Sequence, residues 1–219
     1  MSQVPAHVLR VGLTGGIATG KSYCLRGFAA LGAPVLDADV LAREAVTPGS
    51  EGLAAVVHRF GSDILGPAGA LDRSALARMI FADADARRDL EAIVHPFVYQ
   101  GIAEWFAALD AATASSGAEA EAFGVADVPL LFESGGAARF DRVIVAACPA
   151  VQQIARLRAR DGLSDEDARR RMAAQWPIET KRRLADLVIE TSGTLAETDA
   201  QVERVCRQLR DEAGRQLRS

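Results

Sequence analysis

The sequence is poor in cysteine and in aromatic residues, has no long uninterrupted apolar run, and carries no large excess of charge of either sign. Its three cysteines, Cys24, Cys148 and Cys206, are odd in number and far apart. That pattern suits reduced thiols in a cytosol better than a disulfide framework or a zinc site. Aromatics make up only 5% of 219 residues, so packing has to rest on Leu, Val, Ile and on alanine faces that let helices approach closely. No run nears the roughly 18 apolar residues that span a bilayer, and residues 1–10 lack the basic start and apolar stretch of a secretion signal. A soluble, cytoplasmic protein that does not engage membranes is expected. The net charge of −4 excludes a protein held to nucleic acid by its overall field, so any basic site has to be local. No obligate protein partner is evident.

What is present is globular: 49% hydrophobic and 25% charged residues, far from collagen-like or disordered composition. The length allows one large domain, or a core carrying insertions. Residues 8–13 form a short apolar run, 34–36 another, and 123–131, 142–148 and 187–189 three more, each followed by loop or helix signals. Between 50 and 109 strand character is missing; successive helices are expected there, one opened by Leu71-Asp72-Arg73-Ser74 and a longer one bent or interrupted at Pro96. Residues 111–122 are an Ala/Ser/Gly/Glu stretch that reads as a helix tail or exposed linker, and 195–217 as a long amphipathic terminal helix. Strands alternating with helices imply an α/β fold, a parallel sheet covered on both faces.

One motif carries chemistry. Gly15-Gly16-Ile17-Ala18-Thr19-Gly20-Lys21-Ser22 matches the phosphate-loop pattern G-x-x-x-x-G-K-S, and it sits between an expected strand and an expected helix. Backbone N–H groups must converge on a polyphosphate, which requires a close wrap that a Cβ would block, and the helix N-terminus adds unpaired amides and positive dipole. In this reading Lys21 reaches the β- and γ-phosphates of a nucleotide and Ser22 holds Mg²⁺.

Other residues have to decide what the nucleotide is used for. Asp37 and Asp39 follow the second strand, at the end of a parallel sheet where ligands bind. Asp37 is either a helix cap or a ligand residue; Asp39 suits a general base that takes the proton of an attacking hydroxyl. Arg156 and Arg160 share a helix face by i, i+4 spacing and suit a closing lid that neutralises the transferred phosphoryl group. Asp127, at the end of the third strand, is either a carboxylate behind the Mg²⁺ or a strand-end turn residue. His95 alone reads as a structural hydrogen-bonder.

Beyond the loop, the sequence contains Leu36-Asp37-Ala38-Asp39 with Ala42-Arg43, the Pro48-Gly49 turn, Ile93-Val94-His95-Pro96, and Asp127-Val128-Pro129-Leu130-Leu131-Phe132-Glu133. Further on come Gln153-x-x-Arg156-x-x-x-Arg160-Asp161, and Gln175-x-Pro177 leading to Lys181 and Ala185-Asp186. In this order, from about residue 11 to 193, they resemble the dephospho-coenzyme A kinases. The resemblance implies a P-loop kinase core (about 8–47, 123–150 and 184–219), a helical CoA-binding insertion (about 48–122) and a lid (about 151–183). It implies transfer of the γ-phosphate of ATP, with Mg²⁺, to the 3′-hydroxyl of dephospho-CoA. By the same resemblance Asp39 is the base and Arg156 a lid arginine. Arg43, His95, Gln175 and Lys181 belong to the acceptor side, and Arg160, Ser192 and Gly193 to the nucleotide side. The sequence departs from the family at Ala18-Thr19, where Gly-Ser is frequent, at Tyr23, where a small hydroxyl residue is common, and at Glu190-Thr191, where Asp-Asn is typical. The first two leave the pattern's glycines, and so the expected cradle, in place.

Three rival readings share the loop. A GTPase is excluded by the missing Asn/Thr-Lys-x-Asp base-reading motif. Another small-molecule kinase would use the same core chemistry and a different acceptor. A nucleotide-binding protein without turnover would need neither the arginine-bearing lid nor Asp39.

Overall fold

The computed structural model describes residues 7–116 and 123–216. Five strands, β1 (Leu9–Gly15), β2 (Val35–Asp37), β3 (Phe123–Asp127), β4 (Arg142–Ala147) and β5 (Leu187–Glu190), form one sheet in the order β2-β3-β1-β4-β5. The β1·β3, β1·β4 and β4·β5 pairs are all parallel, and β3 and β4 are buried almost end to end, as expected of a parallel sheet flanked by helices. The chain leaves β1 toward β2 and β3 on one side and later fills β4 and β5 on the other. The loop after β1 therefore lies where the strand order reverses, the crevice in which such sheets bind ligands.

Contacts divide the chain into two units, residues 1–36 with 106–219, and residues 37–105. The first holds the sheet. Its helix α1 (Lys21–Ala30) packs on β1, β3 and β4 and against the terminal helix α9 (Leu195–Gln216), where a Cβ on Gly27 would stand only 3.1 Å from Val202. Helix α1 ends as the sequence predicts: the Gly32 N–H donates to Ala29 O at 3.0 Å and the Ala33 N–H to Phe28 O at 3.1 Å, the paired bonds of a Schellman stop. Helices α6 (Ala150–Asp161), α7 (Asp165–Ala173) and α8 (Ile178–Leu184) lie between β4 and β5 in the chain. Ser164 caps α7 by accepting the Asp167 N–H at 3.0 Å.

The second unit is helical: α2 (Ala38–Glu44), α3 (Glu51–Phe60), α4 (Arg73–Ala82) and most of α5 (Ala84–Ser116). Its core is Val46, Leu53, Val56, Phe60, Ile64, Leu76 and Ala86. Asp72 caps α4 through the N–H groups of Ser74 and Ala75. Helix α5 runs for 33 residues with Pro96 inside it; of the two expectations there, a bend or an interruption, the interruption is absent, and Val98, Ile102 and Phe106 beyond it are buried, packing that offsets the roughly 3 kcal/mol cost of an interior proline. By its contacts the helical unit runs from 37 to 105. Its boundary falls inside the continuous α5, where composition does not change. Residues 111–116 are the tail of α5; the rest of that low-complexity stretch, like residues 1–6 and Leu217, lies outside the described residues.

Candidate active site

The turn from β1 into α1 is shaped by contacts only glycine permits. A Cβ on Gly15 would meet the Ala146 carbonyl oxygen of β4 and Thr19 Oγ1, each at 2.6 Å. Gly20 stands at φ 86°, ψ 13° as the residue before α1, and its carbonyl accepts the N–H groups of Tyr23 at 2.9 Å and Cys24 at 3.2 Å. That leaves the first amides of α1 without intrahelical acceptors and aimed out of the helix end, where a phosphate is favoured. Thr19 is fully buried, and its hydroxyl donates back to Gly16 O at 2.8 Å, so its side chain builds the loop and does not face a ligand.

The cradle is kept at some strain. Ala18 takes φ 59°, a left-handed position that costs a non-glycine residue about 1–2 kcal/mol. In return Ile17 and Ala18 pack against Ile154, Leu157 and Ala168 of α6 and α7. Both polar groups of Ile17 are held by glutamine side chains. Its N–H donates to Gln175 Oε1 at 2.8 Å, and its carbonyl accepts Gln153 Nε2 at 2.7 Å. Gln175, which the resemblance puts on the acceptor side, bonds the loop after β1 here.

Three cations border this loop. Lys21 Nζ pairs with Asp127 Oδ1; Asp127 is 2% exposed, and the β1·β3 register brings it opposite Leu13, two residues before the loop. Asp127 thus ends β3 with its carboxylate on Lys21. Arg156, half-buried, donates to Ala18 O at 3.3 Å and to Thr191 O at 2.5 Å, so it reaches the loop. Lys181 is 0% exposed and contacts Glu133 Oε1 at 2.8 Å and Gly15 O at 3.1 Å. The resemblance implies a place on the acceptor side for Lys181; its buried ammonium is seated beneath the loop, where a carboxylate and two carbonyls accept its protons.

Arg160 does not join Arg156. It lies exposed in the last turn of α6 and binds Asp161 with two bonds, 2.8 and 2.9 Å, which holds the Asp161 carboxyl below its ordinary range. Asp37 caps α2 by accepting the Asp39 N–H at 2.9 Å, the helix-cap one of its two readings. Asp39 is exposed in the first turn of α2 and Arg43 exposed in its last. His95 is partly buried on α5, its ring edge-to-face with Tyr99 at 6.2 Å. These three belong to the helical unit. Ser22, Ser192 and Gly193 are exposed or nearly so, and Ser192 O accepts Gln152 Nε2 at 3.0 Å.

Sequence reasoning missed Thr191, Gln153 and Glu133 as site residues. Thr191 replaces the family's asparagine yet ties the loop, donating to Thr19 O at 2.5 Å. Burial pushes the Cys148 thiol up, against the pull of the neighbouring Arg156. The signal for Gln153 and Glu133 was their place in the motifs that carry the resemblance. Their side-chain partners could not be read from spacing.

Comparison with known proteins places the chain in a family. The sequence profile of the dephospho-CoA kinases matches residues 9–197. A dephospho-CoA kinase of Gloeobacter violaceus is 48% identical over 195 residues, 89% of this chain and 89% of the relative. One of Anaeromyxobacter dehalogenans is 44% identical over 207 residues, 94% and 95% of the two chains. Among solved structures, a Thermus thermophilus protein superposes with a TM-score of 0.73 at 34% identity, covering 93% of this chain and 98% of that one. The dephospho-CoA kinase from Campylobacter jejuni gives 0.68 at 27% identity, with the same coverage.

Proposed function

Since the chain belongs to the dephospho-CoA kinase family, we propose that it completes coenzyme A by moving the γ-phosphate of ATP onto the 3′-hydroxyl of dephospho-CoA, with Asp39 as the base that accepts the hydroxyl proton. The observation that carries the kinase chemistry is the meeting of Lys21, Asp127 and Arg156 around one glycine-shaped turn. In this reading the amides from Gly20 onward grip the β- and γ-phosphates. Lys21 exchanges Asp127 for phosphate oxygen, and Arg156 neutralises charge that spreads over the transferred oxygens. Asp39, in the first turn of α2, draws the proton from the attacking oxygen as it bonds to phosphorus and the β–γ bridge breaks. Arg43 and His95 serve the acceptor.

The donor set fits Mg²⁺. Among the described residues no three His, Cys, Asp or Glu side chains form a metal cage, and Mg²⁺ is ordinarily held by phosphates, waters and one or two hard oxygen ligands. Ser22 Oγ, next to Lys21, and the Asp127 carboxylate are the oxygens that would serve it. Bound there, it would supply positive charge that offsets the charge of the phosphates. A cytoplasmic setting is part of this reading, supported by three buried free thiols.

Purified protein with Mg-ATP is expected to release ADP in the presence of dephospho-CoA and not with nucleosides, shikimate or other hydroxyl acceptors. Asp39→Asn is expected to keep ATP binding and lose about 10²-fold or more in turnover. Undiminished turnover of that variant removes Asp39 from the role, and turnover of another acceptor at equal efficiency replaces the substrate.

A further inference from the structure

The chain has two lysines among 25 basic residues, Lys21 and Lys181; the other basic positions are all arginine. Both lysines stand at the phosphate loop, one inside it and one beneath it. Lys181 projects from α8 and is completely buried. Its Nζ lies 2.8 Å from Glu133 Oε1, 3.1 Å from Gly15 O and 3.4 Å from Pro129 O. Three acceptors converging on one tetrahedral nitrogen suit an ammonium and not a planar guanidinium fork. Pro129 O also accepts the hydroxyl of the buried Thr14 at 3.1 Å, and Glu133 Oε1 also accepts the Trp176 N–H at 2.9 Å. The knot thus joins the end of β1, the turn after β3, and the stretch between α7 and α8. Gln175, the residue before Trp176, holds the Ile17 N–H of the same loop.

As a source of stability this pair is a poor choice. A buried ion pair seldom outperforms an apolar pair of similar volume, and here Glu133 Oε2 is buried with no hydrogen-bond partner among the described residues. What the pair supplies is direction: the ammonium fixes the carbonyl of Gly15, and through that peptide plane the orientation of the amides that follow. We infer that Lys181 and Glu133 are positioning residues, a buried strut that sets the phosphate loop for nucleotide and locks the α7–α8 segment to it. This rests on the loop being an ATP site, as proposed above.

The test reads ATP affinity without acceptor by calorimetry, so that it stands apart from the identity of the phosphorylated substrate. Wild-type protein that binds ATP yet fails to phosphorylate dephospho-CoA would count against the proposed function and leave this inference intact. Lys181→Met is expected to lower thermal stability and weaken ATP binding about tenfold, with the KM for dephospho-CoA within about twofold of wild type, as for a misplaced loop. Lys181→Met/Glu133→Gln removes the orphaned charge; it is expected to regain most of the lost Tm but not the ATP affinity. Recovery of both together would make the pair merely structural and overturn the proposal, as would unchanged ATP binding in a folded Lys181→Met protein. If the methionine variants do not fold, the isosteric Glu133→Gln decides. It keeps an acceptor for the Trp176 N–H, and about threefold weaker ATP binding is expected from the loosened ammonium. ATP binding equal to wild type in that variant overturns the inference.

Discussion

Single residues in the phosphate turn are constrained by two separate costs, and substitution can tell them apart. At Gly20 an added Cβ would lie 3.4 Å from Thr191, ordinary contact, but φ is +86°. Gly20→Ala is therefore expected to cost only the left-handed penalty, about 1 kcal/mol, a drop in Tm of about 2–4 °C for a chain of this size. Gly15 has no such backbone angle, yet its Cβ would meet the Ala146 carbonyl at 2.6 Å, and a β4 backbone atom cannot step aside alone. Gly15→Ala is expected to cost about 3 kcal/mol through overpacking, measured by urea denaturation beside Gly20→Ala. Equal losses would mean that close approach to β4 is not what Gly15 is for. Arg156 and Arg160 teach a related lesson. Their shared helical face was legible from spacing, but Arg160 sits at the helix end beside Asp161 and pairs there, while Arg156 is one turn deeper and reaches Ala18 and Thr191.

At the level of elements, helix ends were well signalled because their chemistry is local. Asp37, Ser50, Asp72 and Ser164 each cap the helix that follows them. The start of α9 adds a reciprocal arrangement. Glu197 Oε2 accepts the Thr194 N–H at 2.7 Å, and the Glu197 N–H donates to Thr194 Oγ1 at 3.2 Å, the two bonds of a capping box. Thr194→Ala is expected to destabilise the protein by about 1 kcal/mol, read by thermal denaturation at neutral pH; a change near zero would show that packing of α9 on α1 alone holds that end. Helix α5 went the other way. Pro96 signalled a bend or an interruption, and the helix is not interrupted there, since a proline rule describes one turn and the packing of the residues around it decides the rest.

For the whole molecule, three surface carboxylates contribute to stability against acid. Asp161 is held below its ordinary value by Arg160, Asp167 by Ser164 and then Arg170, and Glu197 by the Thr194 backbone and hydroxyl. For such groups the folded state binds protons less readily than the unfolded chain. Their contribution is complete above the ordinary values of 3.8 for aspartate and 4.5 for glutamate, and it is lost as pH falls through the lower folded-state values. Thermal denaturation between about pH 6 and 3 is expected to show a level Tm that declines on the acid side, with a shallower decline in Thr194→Ala. A Tm that rises toward acid would contradict the linkage. The Cys24 thiol, pushed up to about 12 by burial, adds nothing in that range.

Much of this protein was already written along its chain. Hydrophobic runs and their punctuation specify β1 to β5, the glycine pattern specifies the phosphate turn, and the ordered motifs specify the family, because each depends on neighbours within a few residues or on a sequence of types. Tertiary structure alone decided which side chains meet across long separations: Lys21 with Asp127, Gln175 with Ile17, and Lys181 with Gly15 and Glu133. Those choices follow from sheet register and from the cost of burying a charge, since an ammonium without water must be placed where distant carbonyls and a carboxylate converge. No local pattern records where that point lies.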